Sequence, residues 1–168
     1  MTSVGITGHQ MREGIDWSWV RAEIDHALAE EAGANELWTS LATGADTIAA
    51  EVALQRGMAI KAVIPHAQYA EVFDDEDRAI YRSLLSRSAD VVAMVSDGGD
   101  EDAYLAAGHR VADESDLLIV VWDGQPAAGK GGTGDIAAYA GDRGTRVIWL
   151  DTRTSKRRLL PDRPHIDS

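Results

Sequence analysis

Cysteine is absent from this chain, which excludes disulfides, thiolate metal sites and a cysteine nucleophile. Positive charge is scarce: 16 Lys and Arg stand against 28 Asp and Glu, for a formal charge of −12 and a pI near 4.7. That balance works against broad attraction to a nucleic-acid backbone or an anionic membrane, and so disfavours nucleic acid as a partner. No apolar run approaches membrane-spanning length, and no basic segment with an apolar stretch behind it precedes the first strand. A cytoplasmic protein with no membrane partner is the expectation. Internal repeats and low-complexity tracts are missing too. What is present, 168 residues with 45% hydrophobic content, suits one globular domain that buries a core without disulfides or metal.

The most informative stretch runs from Leu117 to Asp135. Leu117-Leu118-Ile119-Val120-Val121-Trp122 is an unbroken apolar run rich in β-branched residues, the pattern of a strand buried on both faces of a parallel sheet. Five glycines lie between Gly124 and Gly134, and Ile136, Ala137 and Ala140 follow at spacings that open a helix near Thr133. Glycines let a backbone approach a ligand closely, and the first N–H groups of a helix lack intrahelical partners, so this loop can receive a phosphate. A tight turn without a ligand would use the same residues. Asp135 favours the helix dipole but competes with an incoming anion, which points it towards a ribose hydroxyl, a base or a water.

The same strand, glycine turn and helix order occurs earlier. Ser3 to Thr7 reads as a first strand that runs into Gly8-His9-Gln10 and then a helix from about Asp16, with Trp17, Val20, Ile24, Ala27 and Leu28 at helical spacing. His9 stands at a strand's carboxyl end, where open α/β sheets place ligands, although a loop histidine is also ordinary surface. Glu36 to Leu41 supplies a second strand. Behind it, Thr43 caps a helix and Asp46 lies in its first turn, or else Gly44 and Asp46 meet a ligand; the two readings stand level. Ala59 to Ile64 and Val91 to Val95 are further strands, with one or two short helices between Gln68 and Ser88. The Asp74-Asp75-Glu76-Asp77 run has no regular ligand spacing and reads as a solvated helix start, so no metal is expected. Arg110, on the helix before the glycine loop, reaches a phosphate or makes a surface ion pair. Arg146 to Leu150 is the last strand expected, and residues 152–168 form a polar tail with a basic cluster at Lys156-Arg157-Arg158, disordered or lying across a neighbouring subunit.

Alternating strands and helices imply one α/β domain over residues 1–151, a doubly wound, mostly parallel Rossmann-like sheet with helices on both faces. Gly5-Ile6-Thr7-Gly8-His9, Ala42-Thr43-Gly44-Ala45-Asp46 with Ala49, Ala50, Glu51 and Ala53, Ile64-Pro65, Ser115-Asp116-Leu117-Leu118-Ile119, Trp122-Asp123-Gly124 and Gly131-Gly132-Thr133 occur in that order. Together they resemble the SLOG superfamily of Rossmann-like domains, which includes lonely-guy phosphoribohydrolases, Smf/DprA DNA-processing proteins and nucleotide-sensing modules. The resemblance spans about Val4 to Leu150 and lies nearer the small stand-alone nucleotide-binding members.

The resemblance implies a pocket for a nucleotide or nucleotide-derived small molecule, with no separate cofactor. Gly131, Gly132, Thr133 and Gly134 would take the phosphate, Gly8 and Gly44 would line the remainder, and Asp46, Asp123 and Asp135 would surround the sugar. His9, Thr43, Arg110, Trp122 and Gly124 complete the candidate ligand-binding set, with Asp135 and Asp46 as the candidate catalytic carboxylates. The lonely-guy enzymes carry Pro-Gly-Gly-x-Gly-Thr-x-x-Glu; here Lys130 replaces the proline, Asp135 the threonine and Ala138 the glutamate. The usual carboxylate is missing, so the leading expectation is a nucleotide-binding domain to which N-glycosidase activity is an addition. A nucleoside 5′-monophosphate phosphoribohydrolase using Asp135 is the alternative. A single-stranded nucleic-acid module of the Smf/DprA kind is the third, disfavoured by charge and by the lack of interleaved aromatic and basic residues. The resemblance also implies a homodimer or higher homo-oligomer, for which a helix with Tyr104, Leu105 and Gly108 offers a face.

Overall fold

The computed structural model describes residues 1–95, 99–126 and 132–160. The strands are β1 (Thr2–Gly8), β2 (Ala34–Thr39), β3 (Ala59–Ile64), β4 (Asp90–Ala93), β5 (Leu117–Trp122), β6 (Arg146–Asp151) and β7 (Lys156–Leu160). The helices are α1 (Trp17–Glu30), α2 (Ala45–Gln55), α3 (Asp75–Ser86), α4 (Asp100–Glu114) and α5 (Thr133–Asp142), with a short 3-10 turn at Tyr69–Val72. All seven strands form one sheet in the order β4-β3-β2-β1-β5-β6-β7, parallel except for the β6–β7 pair. This is an α/β Rossmann-like fold.

The β5 run is apolar throughout because both of its faces are covered. Leu117, Ile119 and Val121 join a core built with α1 and α2, while Leu118 and Val120 join a second core against α4 and α5. Each such buried side chain contributes about 1.5–3 kcal/mol, so the central strand anchors both layers. Short polar side chains place the helix starts: Asp16 accepts from the Trp19 N–H at 3.1 Å, and Asp74 accepts from the Asp77 N–H at 2.8 Å. The acidic run is therefore a helix start, as its composition implies.

Two expectations need correction. Residues 156–160 are not a free tail: β7 pairs with β6 along Val147↔Leu160 to Asp151↔Lys156. Its basic side chains are used inside the chain, Arg157 on Glu30 at 2.9 Å and Arg158 on Asp151 at 3.6 Å with its guanidinium over Trp149. An edge strand carrying lysine and arginine looks like a polar tail until its partner strand is known. On α4, Tyr104 packs partly buried against the first core and Leu105 against the second, and Gly108 lies so close to α5 that a Cβ there would lie 2.4 Å from Ile136 Cδ1. Thr43 does not cap α2; Gly44 occupies the cap position without a side-chain capping bond, and the Thr47 hydroxyl donates to its carbonyl at 3.2 Å.

Candidate functional site

The chain builds outward from β1 in both directions, to β4 on one side and to β7 on the other. The carboxyl ends of β1 and β5 thus flank the crevice where doubly wound sheets take ligands. His9 N–H donates to the Val121 carbonyl at 2.9 Å and extends the β1–β5 pairing by one step. Its ring then turns across β5, where Nε2 accepts the Asp123 N–H at 2.9 Å. An accepting Nε2 means a neutral imidazole with its proton on Nδ1. Burial, followed by the charge of Arg12, lowers the His9 pKa below 6.5 against the opposing pull of Asp123. Arg12 in turn meets Asp123 Oδ2 at 3.0 Å, and the Gln125 N–H donates to Oδ1 at 2.9 Å. Burial disfavours the Asp123 carboxylate, but these donors and the charge of Arg12 outweigh it and hold its pKa below the usual range.

Beside this cluster lies a cavity of about 390 Å³ whose wall includes Gln10, Trp122, Gly132 and Thr133. Gly132 sits at the cap of α5 without a side chain, and among the described residues no side chain caps the helix start. The Asp135 and Ile136 N–H groups return to the Gly132 carbonyl at 3.1 and 3.2 Å, which leaves the Thr133 and Gly134 N–H groups as the donors this helix start can offer an anion. Thr7, Gly8, Gln10 and Gly132 also border a second lobe of about 410 Å³, which extends past the carboxyl ends of β2 and β3. Its inner end is formed by Ser40, Asp46, Pro65, Tyr69, Phe73 and Tyr104.

Asp46 is 6% exposed. Its carboxylate accepts the Ala42 N–H at 3.3 Å and is bonded by the Thr39 side chain and the Ser40 backbone. Burial is the dominant influence and pushes its pKa up to about 7, these donors opposing. Tyr69 is also buried, and desolvation, followed by the nearby Asp46 charge, raises its hydroxyl above the ordinary range. Its ring meets those of His66, Phe73 and Tyr81 edge-on, and His66 Nε2 lies 3.3 Å from the Tyr104 hydroxyl. The inner lobe thus presents aromatic walls and a carboxyl group able to change protonation near neutral pH.

Of the sequence-selected residues, Gly8, His9, Asp46, Trp122, Asp123, Gly132 and Thr133 border these two lobes. Gly131 lies outside the described residues. Thr43 and Gly44 face a different cavity, between α1, α2 and α3. Gly124 and Gly134 make room for indole rings: a Cβ on Gly124 would lie 3.2 Å from Trp149 Cζ2, and one on Gly134 2.8 Å from Trp122 Cζ2. Arg110 takes the ion-pair alternative, Nε on Glu114 at 3.0 Å with the guanidinium over Trp38. Asp135 is exposed and borders neither lobe, because the first turn of α5 carries its side chain away from them.

Sequence reasoning missed Arg12, Gln10, Tyr69 and Tyr104. Gln10 directly follows Gly8 and His9, which was a usable signal. The two tyrosines fit an apolar helix face equally well, and nothing local marks Arg12 before β5 brings Asp123 to it.

No family model matches the chain, and no curated protein matches it. Solved structures do. DNA processing protein A from Helicobacter pylori, described with a single-stranded DNA binding mode, aligns over 89% of this chain and 65% of its own with a TM-score of 0.64 and 19% identity. DNA processing protein A (DprA) from Streptococcus pneumoniae aligns over 89% of this chain and 50% of its own, with a TM-score of 0.62 and 20% identity. TM1055, a structural-genomics protein, aligns over 89% and 74%, with a TM-score of 0.57 and 16% identity. The chain therefore spans 65% and 50% of the two DNA-processing proteins. At these identities the likeness is one of fold. It lends no support to setting nucleic acid aside as a partner, since net charge sums over a whole chain whereas binding follows the local field.

Proposed function

We propose that this chain binds a nucleotide or nucleotide-derived small molecule in the two-lobed cleft, as a domain of the SLOG type. The observation that carries the reading is the shared border at Gly8, Gln10 and Gly132, which joins an anion-accepting outer lobe to an aromatic inner one. Arg12 and the open α5 start suit a phosphate, and the tyrosine-lined end suits a base. Lobes of about 390 and 410 Å³ are each within the usual range of small-ligand sites.

Asp46 favours a second reading, hydrolysis of an N-glycosidic bond. Water would add across the bond between C1′ and the base nitrogen, releasing free base and a ribose phosphate. A carboxyl group with a pKa about 7 is divided between an acid that protonates the departing base and a carboxylate that steadies the developing positive charge. Asp46 borders the inner lobe and the exposed Asp135 borders neither, which favours Asp46 for either role.

The test is titration calorimetry against AMP, CMP, GMP, ADP-ribose, a cyclic dinucleotide and an oligodeoxythymidine, with chromatography of each mixture for free base. Binding without base release, abolished by Gly132→Val, supports a sensor or carrier. Base release lost in Asp46→Asn supports the glycosidase. Binding of the oligonucleotide alone would replace the nucleotide reading, and no heat with any ligand would end it.

A further inference from the structure

A third cavity, about 400 Å³, lies between α1, α2 and α3 and within the described residues. Leu41 and Ile48 are buried in its floor, Trp17 forms part of its wall, and Met11 and Ile80 stand at its rim 55% and 40% exposed. The polar groups are unequal in charge. Arg21 is already paired with Glu51 at 2.6 Å, which leaves Asp77 as the unbalanced charge on the wall. Asp77 belongs to the Asp74–Asp77 run at the start of α3, where Arg78 pairs with Asp75 at 3.2 Å.

We propose that this cavity is a binding site for a small organic ammonium ion with an apolar body, the body on Leu41, Ile48 and Trp17 and the charge towards Asp77. Charge complementarity selects the class: the wall carries one cation against two carboxylates, the acidic run adds negative field at the mouth, and the whole chain is strongly acidic. An indole in the wall adds a further attraction for a cation. An anion of the same shape meets Asp77 and Glu51 with only the committed Arg21 in compensation. The acidic pressure is visible on Asp77 itself, whose pKa is raised by desolvation and then by the neighbouring Asp74 and Glu76.

The site is independent of the nucleotide cleft. The 40–44 loop separates the two, with Ser40 and Ala42 bordering the cleft while Leu41 and Thr43 border this cavity.

The experiment is a two-dimensional ¹H–¹⁵N NMR titration of the full chain with 2-phenylethylammonium and, separately, with phenylacetate. The expected result is saturable movement of the Trp17 indole N–H and the Gly44 and Thr47 amides with the ammonium and not with the carboxylate. Asp77→Asn should weaken binding about threefold, the scale of a single exposed ion pair. Ser18→Trp, at an exposed position on the cavity wall, should fill the space and abolish the shifts while the remaining spectrum stays folded. Equal binding of phenylacetate, shifts that persist in Ser18→Trp, or no saturable shift would overturn the proposal. None of these results bears on calorimetry at the other cleft.

Discussion

The Asp123 backbone N–H donates to Nε2 of His9 at 2.9 Å across the ends of β1 and β5. One side chain thereby joins the two strands that flank the proposed ligand crevice, and it does so only as a neutral imidazole. Arg12 completes the arrangement by holding the Asp123 carboxylate at 3.0 Å, so the rim is locked through residues that are 114 positions or fewer apart in sequence.

Acid should loosen this lock. The folded His9 pKa lies below the ordinary 6.5 because of burial and then Arg12, so the unfolded chain binds the proton first. The resulting stability is whole above about pH 6.5 and falls as pH drops towards the lowered folded value. His9→Gln, which keeps an acceptor without a charge, should remove that part of the slope in thermal melts from pH 7.5 to 5. Identical slopes for the two proteins would refute the neutral assignment.

Asp46 should act in the opposite direction. Its folded pKa of about 7 stands above the ordinary 3.8, so the folded state keeps a proton that the unfolded state has released. Stability from the neutral carboxyl is complete below about pH 3.8 and is lost as pH rises to about 7. The difference between the melting points of Asp46→Asn and the parent should therefore grow from pH 4 to 7 and then level. If base release occurs, the same variant should lose about 10²–10⁴-fold in rate. A pH-independent difference between the two melting curves would sink the titration argument.

Two arginines should separate sharply in binding. Arg12 borders the outer lobe, whereas Arg110 is committed to Glu114 and Trp38. Arg12→Ala should weaken AMP about tenfold, the scale of a hydrogen bond to a charged group, while Arg110→Ala should leave the isotherm within about twofold. A loss in Arg110→Ala equal to that in Arg12→Ala would place the phosphate elsewhere.

Gly44 holds the 9–11 loop against the start of α2. Its φ of +87° disfavours any side chain, and a Cβ would also lie 2.6 Å from the His9 carbonyl oxygen and the Met11 nitrogen. Gly57 has a φ of +74° with open space around it. Gly57→Ala should cost about 1 kcal/mol from backbone strain alone, and Gly44→Ala about 2–3 kcal/mol in urea unfolding. Equal costs would mean that the close approach is relieved without effort.

Removal of residues 156–168 should not be silent. It strips β7 from β6, frees Glu30 and Asp151 of their arginines and bares the β6 edge. Lower thermal stability and concentration-dependent association in sedimentation are the expected outcomes. Unchanged melting and a clean monomer-to-parent match would return β7 to the status of a tail.

Much of the fold was legible because its signals are local. The span of β5 follows from six consecutive apolar residues, α1 and α3 start where Asp16 and Asp74 stand ready to accept backbone N–H groups, and Gly57 ends α2 with its positive φ. The site was legible only in part. Gly8, His9 and Asp123 announced themselves as strand-end residues, but Asp46 and Asp135 looked alike, each an aspartate in the first turn of a helix after a glycine.

Hydrophobic periodicity, glycines and short polar caps are properties of neighbouring residues, and from them the sequence by itself determined the element order and hence the doubly wound class. Tertiary structure decided which charges meet and which are dehydrated. It buried Asp46 among tyrosines and left Asp135 exposed, bound Arg110 to Glu114 while bringing Arg12 to Asp123, and gave Lys156–Leu160 a strand to pair with. Those outcomes depend on contacts between distant segments, because desolvation and ion pairing are set by what surrounds a side chain after the sheet has closed.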